Sequence, residues 1–166
     1  MPIRWAVIDS NVLKVADGDT PQANDACVEK CIDVLLEVRD AASLALDDGG
    51  EILAEYSHER DFSGQPGVGD QFFLWAHNSQ YTSCHRIPLT PHEDRVYQEF
   101  PDTPGLEKFD PSDRKWIATA LGCDPTATIY NAVDSDYAEA AQALADAAIP
   151  ITELCPDCLK PKYRPR

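Results

Sequence analysis

The sequence predicts an α/β protein with a central parallel sheet in a three-layer α/β/α arrangement. Strand-like and helix-like segments alternate along 166 residues, a length that suits one domain. Residues 5–8 are all apolar, which is typical of a strand covered on both faces, and this strand stops at Asp9. Parallel strands joined by right-handed crossovers end at one edge, where ligands bind, so Asp9 is a candidate site residue. Taken by itself, Asp9 fits a turn equally well.

The segment after Asp9 predicts a loop and then a helix. Residues 14–22 are polar and contain turn formers, and Thr20 can cap a helix. From Ala23 onwards, apolar residues recur at helical spacing. Cys27 and Cys31 fall on the packing face of this helix, and we interpret them as small core residues.

The next segments predict a second strand and two helices. Residues 43–46 form the strand, and a helix begins near Glu51. Glu55 lies one turn after Glu51, from where it can reach over the carboxyl edge of the sheet. A loop at 64–69 precedes a dense apolar helix over 72–76.

The middle of the chain is interrupted by prolines. Residues 86–89 predict a short edge strand, because Pro88 cannot donate a ladder hydrogen bond. Between 91 and 111 only a short helix at 93–100 is expected. Ser112 is then predicted to cap a helix, with Asp113 in its first turn.

The last third of the chain repeats the alternation. A strong strand over 127–133 stops at Asp134 and Asp136. An alanine-rich helix is predicted over 137–148, and a final strand over 149–154. Asp134 therefore falls at the same predicted sheet edge as Asp9.

The charge of the chain limits the kinds of partner that it can have. Asp and Glu number 29 against 14 Lys and Arg, which gives a formal net charge of −15. Such a surface repels phosphate backbones unless cations or a basic patch intervene, which argues against passive coating of nucleic acid. An enzyme whose acidic cluster binds divalent metal remains compatible with this charge, because the ion reverses the local sign.

The sequence predicts a cytoplasmic protein that has no membrane partner. The first residues lack the apolar run of a signal peptide, and no later stretch is long enough for a membrane span. In the cytoplasm the six cysteines are expected to be thiols or metal ligands rather than disulfides.

The acids that follow the predicted elements are informative as a set. One ends the first strand, one lies in the helix after the second strand, one opens a later helix, and a pair follows a late strand. Each acid alone is more often structural than catalytic. Their common placement favours one site formed by Asp9, Glu55, Asp113, Asp134 and Asp136.

With these acids in order, the sequence resembles the PIN domain, a family of metal-dependent nucleases. The resemblance rests on four segments, at 7–13, 52–56, 113–120 and 133–137. It implies a three-layer, PIN-like fold and a nuclease domain over residues 1–159. Residues 160–166 would form a basic, flexible tail.

The resemblance also implies a chemistry. Asp9, Glu55, Asp113 and Asp134 would be the catalytic metal ligands, with Asp136 as an accessory ligand. Mg²⁺ and Mn²⁺ take oxygen ligands of this kind. The expected activity is endonucleolytic hydrolysis of RNA by a toxin of a toxin–antitoxin pair or by an RNA-processing or defence nuclease. Expected partners are RNA, an antitoxin or other protein, and a second copy of the chain.

Two alternatives remain open. The family often has Thr or Ser at the position of Ala132, so the chain can also be a PIN-like binding or scaffold module with weakened catalysis. An aspartate-nucleophile phosphatase likewise places an acid after the first strand. That class usually has a second acid two residues later, where this chain has Asn11.

Two further features are candidates for binding. Cys155 and Cys158 have the spacing of half a zinc site, and the nearest second half in the sequence is Cys84 with His85; an ordinary thiol pair is the simpler interpretation. The tail at 160–166 carries four cations that can guide RNA or an acidic partner, although a solvated chain end is more usual. Other candidate phosphate contacts are Arg60, Arg86, Arg114 and Lys115.

Overall fold

A computed structural model describes residues 4–58, 60 and 64–159. The described chain is an α/β protein with parallel strands, as predicted. The strands are β1 (Ala6–Ile8), β2 (Ala45–Asp47), β3 (His85–Ile87), β4 (Pro91–His92), β5 (Val96–Tyr97), β6 (Thr128–Asn131) and β7 (Ile151–Glu153). The helices are α1 (Ser10–Ala16), α2 (Asp25–Ala41), α3 (Glu51–His58), α4 (Val68–Ser79), α5 (Arg114–Leu121), α6 (Asp136–Glu139) and α7 (Ala141–Asp146).

The central sheet has the order β1-β6-β7 and all of its strands are parallel. Val7 pairs with Ile129, which in turn pairs with Ile151. Strands β2 and β3 form a second parallel pair. A parallel bridge between Ala6 and Leu44 joins this pair to β1. All these strands therefore run in one direction, and the residues that follow β1 and β6 meet at one edge.

The core lies between the strands and the helices that pack on them. Helix α1 packs against α2 and α4, whereas α5 packs against β1, β2 and β6. Trp116 of α5 is fully buried and stacks on Tyr56 of α3, with ring centroids 6.0 Å apart. These contacts fix α3 and α5 relative to the sheet edge. The three-layer, PIN-like arrangement remains a prediction.

The first correction concerns the segment after Asp9. The chain enters α1 at once, so the predicted loop over 14–22 is wrong for its first three residues. Asp9 caps this helix by accepting a hydrogen bond from the backbone N–H of Asn11. Asn24, not Thr20, caps α2, because its side chain accepts from the N–H of Cys27.

The second correction concerns the proline-rich middle. Strands β4 and β5 form an antiparallel hairpin where a short helix at 93–100 was expected. Asp110, not Ser112, caps the 3-10 turn that leads into α5. The helix predicted over 137–148 is divided into α6 and α7, because the backbone at Ala140 leaves helical geometry.

The third correction concerns the cysteines. Cys27 and Cys155 form a disulfide, although the sequence predicted thiols or metal ligands rather than disulfides. Cys31, Cys84, Cys123 and Cys158 are thiols. The tail at 160–166 lies outside the described residues. Within the described ranges, none of the helices has both the length and the apolar character of a membrane span.

Candidate active site

A cleft of about 650 Å³ opens at the edge where β1 and β6 end. All five acids predicted as site residues line it, as does Asp19 in the segment between α1 and α2. The remaining lining residues include Ser10, Asn11, Lys14, Thr20, Val133 and Ser135. The structure thus brings together side chains from four separate parts of the sequence.

Asp9 lies at the floor of the cleft, where it is only 4% exposed. Its Oδ1 accepts from the N–H of Asn11 at 3.1 Å, and its Oδ2 accepts from the Tyr137 hydroxyl at 2.7 Å. Burial raises the pKa of Asp9 to about 7, and the charges of Asp113 and Asp134 act in the same direction. The two hydrogen bonds lower this pKa and oppose the shift only in part.

Glu55 reaches the cleft from α3, one turn after Glu51. Asp47, at the end of β2, caps this helix by accepting from the N–H groups of Glu51 and Ile52, each at 2.8 Å. Oε1 of Glu55 forms an ion pair with Lys115 Nζ at 2.7 Å, and Oε2 accepts from the Ser10 hydroxyl. Both oxygens of Glu55 are therefore engaged.

Asp113 ends the 3-10 turn Pro111–Asp113 and immediately precedes α5. The pKa of Asp113 is raised to about 7, chiefly by burial. The negative charges of Asp134, Asp110 and Glu55 raise it further, in decreasing order. Three carboxylate oxygens lie within 4.8 Å of one another, and they belong to Asp110, Asp113 and Asp136. Asp110 is thus a neighbour of the predicted acids that sequence reasoning did not include.

Asp134 and Asp136 lie on the loop that follows β6. Oδ1 of Asp134 accepts from the N–H of Asp136 at 2.9 Å, which fixes the turn between them. Asp134 is partly exposed, whereas Asp136 opens α6 and is buried. The loop therefore presents one carboxylate to the mouth of the cleft and keeps the other in its wall.

A pair of asparagines ties this loop to β1. Asn11 Nδ2 donates to Asn131 Oδ1 at 2.9 Å, and Asn11 Oδ1 accepts from the N–H groups of Ala132 and Val133. Asn131 Nδ2 donates to the Asp134 carbonyl at 2.7 Å and to Glu153 Oε2 at 2.9 Å. Because Asn131 is fully buried, these bonds hold the two acid-bearing loops together in a low-dielectric environment.

The candidate cations have different positions. Lys115 is buried and forms an ion pair with Glu55, which lines the cleft. Arg60 is engaged in a buried ion pair with Asp17 at 2.7 Å and with Asp70 at 3.3 Å. Arg114 is buried, donates to the carbonyls of Glu107 and Phe109, and lies over the Phe100 ring. Arg86 lies over Tyr81 and donates to the Asp48 carbonyl. Only Lys115 among these four contacts an acid of the cleft through the bonds described.

Sequence reasoning missed the residues that hold the acids in place. Tyr137, Ser10 and Asn131 each bond to a predicted acid or to its loop, but none belongs to a charge pattern. Tyr137 and Ser10 do adjoin acids of the set in sequence, and this adjacency was the available signal. Ala132 is buried with 0% exposure, and its neighbour Val133, rather than Ala132 itself, lines the cleft.

The donor set fits a hard divalent cation. Carboxylate oxygens are the preferred ligands of Mg²⁺ and Mn²⁺. Burial, together with the charges of neighbouring acids, raises the pKa of both Asp9 and Asp113, so a cation that bound here would relieve an existing electrostatic cost. Asp110, Asp113 and Asp136, whose carboxylate oxygens lie within 4.8 Å of one another, are the residues best placed to hold it. Asp9 and Asp134 line the same cleft.

Comparison of the chain with models of protein families, with curated proteins and with solved structures found no significant match.

Proposed function

We propose that the chain is a Mg²⁺- or Mn²⁺-dependent endoribonuclease of the PIN-like type. The observation that carries the proposal is the convergence of Asp9, Glu55, Asp113, Asp134 and Asp136 on one cleft. An acidic cleft of this kind disfavours a phosphodiester until its charge is offset, which a divalent cation achieves. The resemblance of the sequence to PIN domains supports the same reaction.

The residues of the chain would divide the work as follows. Asp9, Asp113, Asp134 and Asp136 would hold the cation, with Glu55 as a further ligand or as a proton acceptor at its carboxylate. A bound cation supplies Lewis acidity and charge stabilisation for phosphodiester hydrolysis. Tyr137 and Asn11 orient the Asp9 carboxylate through the bonds described above.

Lys115 and Lys14 are the cations placed to meet the substrate. Lys115 Nζ lies on Glu55 Oε1, and Lys14 lines the cleft. An ammonium group that neutralises one acid can also attract a phosphate oxygen. We infer that the substrate is RNA in single-stranded or loop form. A toxin–antitoxin pair or a processing or defence system would be its setting, with an antitoxin, another protein or a second copy of the chain as partner.

Cleavage of a labelled RNA with Mn²⁺ or Mg²⁺ tests this proposal. The charge-neutral variants Asp9→Asn and Asp113→Asn should each lower the rate by on the order of 100-fold or more, because each removes charge stabilisation from the transition state. Asp33→Asn is the matched control, since Asp33 is exposed on α2 and does not line the cleft. Unchanged cleavage by both cleft variants would overturn the assignment.

A second candidate is a PIN-like binding or scaffold module with weakened catalysis. The observation that favours it is the engagement of both Glu55 oxygens by Ser10 and Lys115, since a cation must displace these partners to bind Glu55. Titration of Mn²⁺ into the wild type and into Lys115→Met separates the two functions. Binding of Mn²⁺ with no cleavage of any RNA tested would establish the module and exclude the enzyme.

A further inference from the structure

We propose that Cys27, Cys31, Cys155 and Cys158 form a zinc site of four thiolates when the chain is reduced. The site lies where α2 meets the turn that follows β7, and it is separate from the acidic cleft. It does not depend on the proposed nuclease function.

The first half of the site is a pair of cysteines on α2. Cys27 and Cys31 are four residues apart, so their side chains lie on one face of the helix in successive turns. Their exposed fractions are 2% and 0%, respectively. The helix therefore directs both sulfurs into the protein toward the same point.

The second half is the turn after β7. Cys155 precedes the 3-10 turn Pro156–Cys158, and the N–H of Cys158 donates to the Cys155 carbonyl at 2.9 Å. This bond closes the Cys-x-x-Cys segment into a tight turn, and two cysteines at this spacing commonly bind one zinc ion. Cys155 is buried and Cys158 is partly buried.

The two halves meet in space. The sulfurs of Cys27, Cys31 and Cys155 all lie within 4.8 Å of one another. In a tetrahedral site with Zn–S bonds of about 2.3 Å, the sulfurs lie about 3.8 Å apart. Cys158 lines the same small groove as Cys27 and Cys155. Burial, and after it the charge of Cys158, raises the pKa of the Cys31 thiol, so Cys158 is also close to Cys31. The sulfurs of Cys27 and Cys155 are bonded to each other here and must separate on reduction before both can bind one ion. The Cys31 sulfur already lies within 4.8 Å of both, and Cys158 is adjacent.

The sequence alone pointed to a different second half. Cys84 and His85 were the nearest candidates along the chain, but His85 stacks on Trp5, with ring centroids 4.3 Å apart, and belongs to β3. Strand β3 pairs with β2, whereas the Cys155 turn follows β7 on the other side of β1 and β6. In the structure, the cysteines that lie near Cys155 are therefore Cys27 and Cys31 of α2, and not Cys84 with His85.

The disulfide and the zinc site use the same atoms and exclude each other. Oxidation joins Cys27 to Cys155 and leaves Cys31 and Cys158 as thiols. Reduction of that bond by a phosphine consumes one water, whose oxygen enters the phosphine oxide and whose two protons complete the two thiols. Each of the four thiols then releases its proton as its sulfur binds the ion. In a reducing compartment the zinc form is the expected one.

The test begins with the full chain purified under a phosphine reductant without chelator. Elemental analysis should find one zinc per chain, and X-ray absorption at the zinc edge should give four sulfur neighbours at about 2.3 Å. Co²⁺ added to the metal-free protein should give the thiolate charge-transfer bands of a tetrahedral sulfur site. These readouts use the wild type, so they do not depend on the folding of any variant.

Two variants locate the site. Cys158→Ser should weaken zinc binding by more than the roughly 10- to 100-fold that results from losing a residue that merely orients a ligand. Cys84→Ser, a half-buried cysteine outside the cluster, should bind zinc as the wild type does. Zinc well below one equivalent in the reduced protein, or oxygen and nitrogen neighbours in place of sulfur, would overturn the proposal. So would equal zinc affinity in the two variants.

Discussion

Burial and neighbouring charge act in the same direction on Asp9. Its pKa is about 7 in the folded chain and would be near its ordinary value of 3.8 in the unfolded chain. Between these values the folded chain holds a proton that the unfolded chain has released. The contribution of Asp9 to the free energy of unfolding is therefore most favourable below about pH 4, and it is lost as the pH rises toward 7.

This sign gives a prediction for Asp9→Asn, whose side chain stays neutral at every pH. Relative to the wild type in the presence of a chelator, the variant should gain free energy of unfolding by up to about 1.4 kcal/mol per pH unit between roughly pH 4 and pH 7. Any fixed cost of disturbing the Tyr137 bond shifts the whole curve without changing this slope.

Urea unfolding of both proteins across this pH range measures the difference. A saturating divalent cation at pH 8 should restore the wild type relative to the variant, because it replaces the lost proton. A difference in stability that stays constant with pH would contradict the burial of a titrating Asp9.

At the scale of single elements, periodicity located most helices and strands but not their junctions. The apolar runs before Asp9 and Asp134 predicted β1 and β6, because strands covered on both faces leave a strong signal. Helix α1 was missed because Asp9 was interpreted only as the end of the strand and a candidate site residue, and not as the cap of a helix that begins at Ser10. The hairpin of β4 and β5 was missed because its strands are two residues long and one begins with proline.

The approach of α4 to α1 depends on Gly69. A Cβ atom added at this position would overlap the Leu13 carbonyl and the Asp17 carboxylate. Asp17 Oδ1 also accepts from the N–H of Gly69 at 2.7 Å, so the two helices cannot separate without breaking this bond. Gly69 therefore allows the contact that supports the back of α1.

We expect Gly69→Ala to destabilise the chain by about 1–3 kcal/mol, the usual cost of overpacking. Gly64→Ala is the matched control, because an added Cβ there has no heavy atom within 4 Å. This control should change stability by less than about 0.5 kcal/mol. Equal unfolding midpoints for the two variants in urea would show that α1 and α4 do not need this close approach.

At the scale of the whole molecule, topology predicted the candidate site better than any motif did. The parallel order β1-β6 brings Asp9 and Asp134 together although they are far apart in sequence. The partners of the acids could not be found in this way, because Tyr137 and Asn131 bond through groups that leave no charge pattern. The proximity of Cys27 and Cys31 to Cys155 was hidden for a different reason, since Cys27 and Cys155 are 128 residues apart in sequence.

The net charge of −15 predicts an unusual salt dependence for the proposed nuclease. Repulsion between the chain and RNA should weaken as monovalent salt screens it, over a Debye length of about 10 Å at 0.1 M. At saturating Mn²⁺, kcat/KM should therefore rise or stay level as KCl is first added. A basic nucleic-acid-binding protein instead loses affinity steeply with salt.

Initial rates on one RNA over a KCl series provide the measurement. The cleft variant Asp113→Asn gives the background of the assay. A steep fall of kcat/KM from the lowest salt onwards would mean that cations of the chain, rather than the proposed metal, dominate substrate attraction.

The contact between α2 and the turn after β7 also determines how the chain responds to being cut. A link between residues 27 and 155 closes a ring that spans 128 residues of sequence. Glu55, Asp113, Asp134 and Asp136 lie inside this ring, whereas Asp9 lies on the arm that precedes it. A single cut in a ring loop leaves both pieces tethered, so the fragments can stay assembled. A cut between α1 and α2 frees the arm, and β1 then leaves with the aspartate at the floor of the cleft.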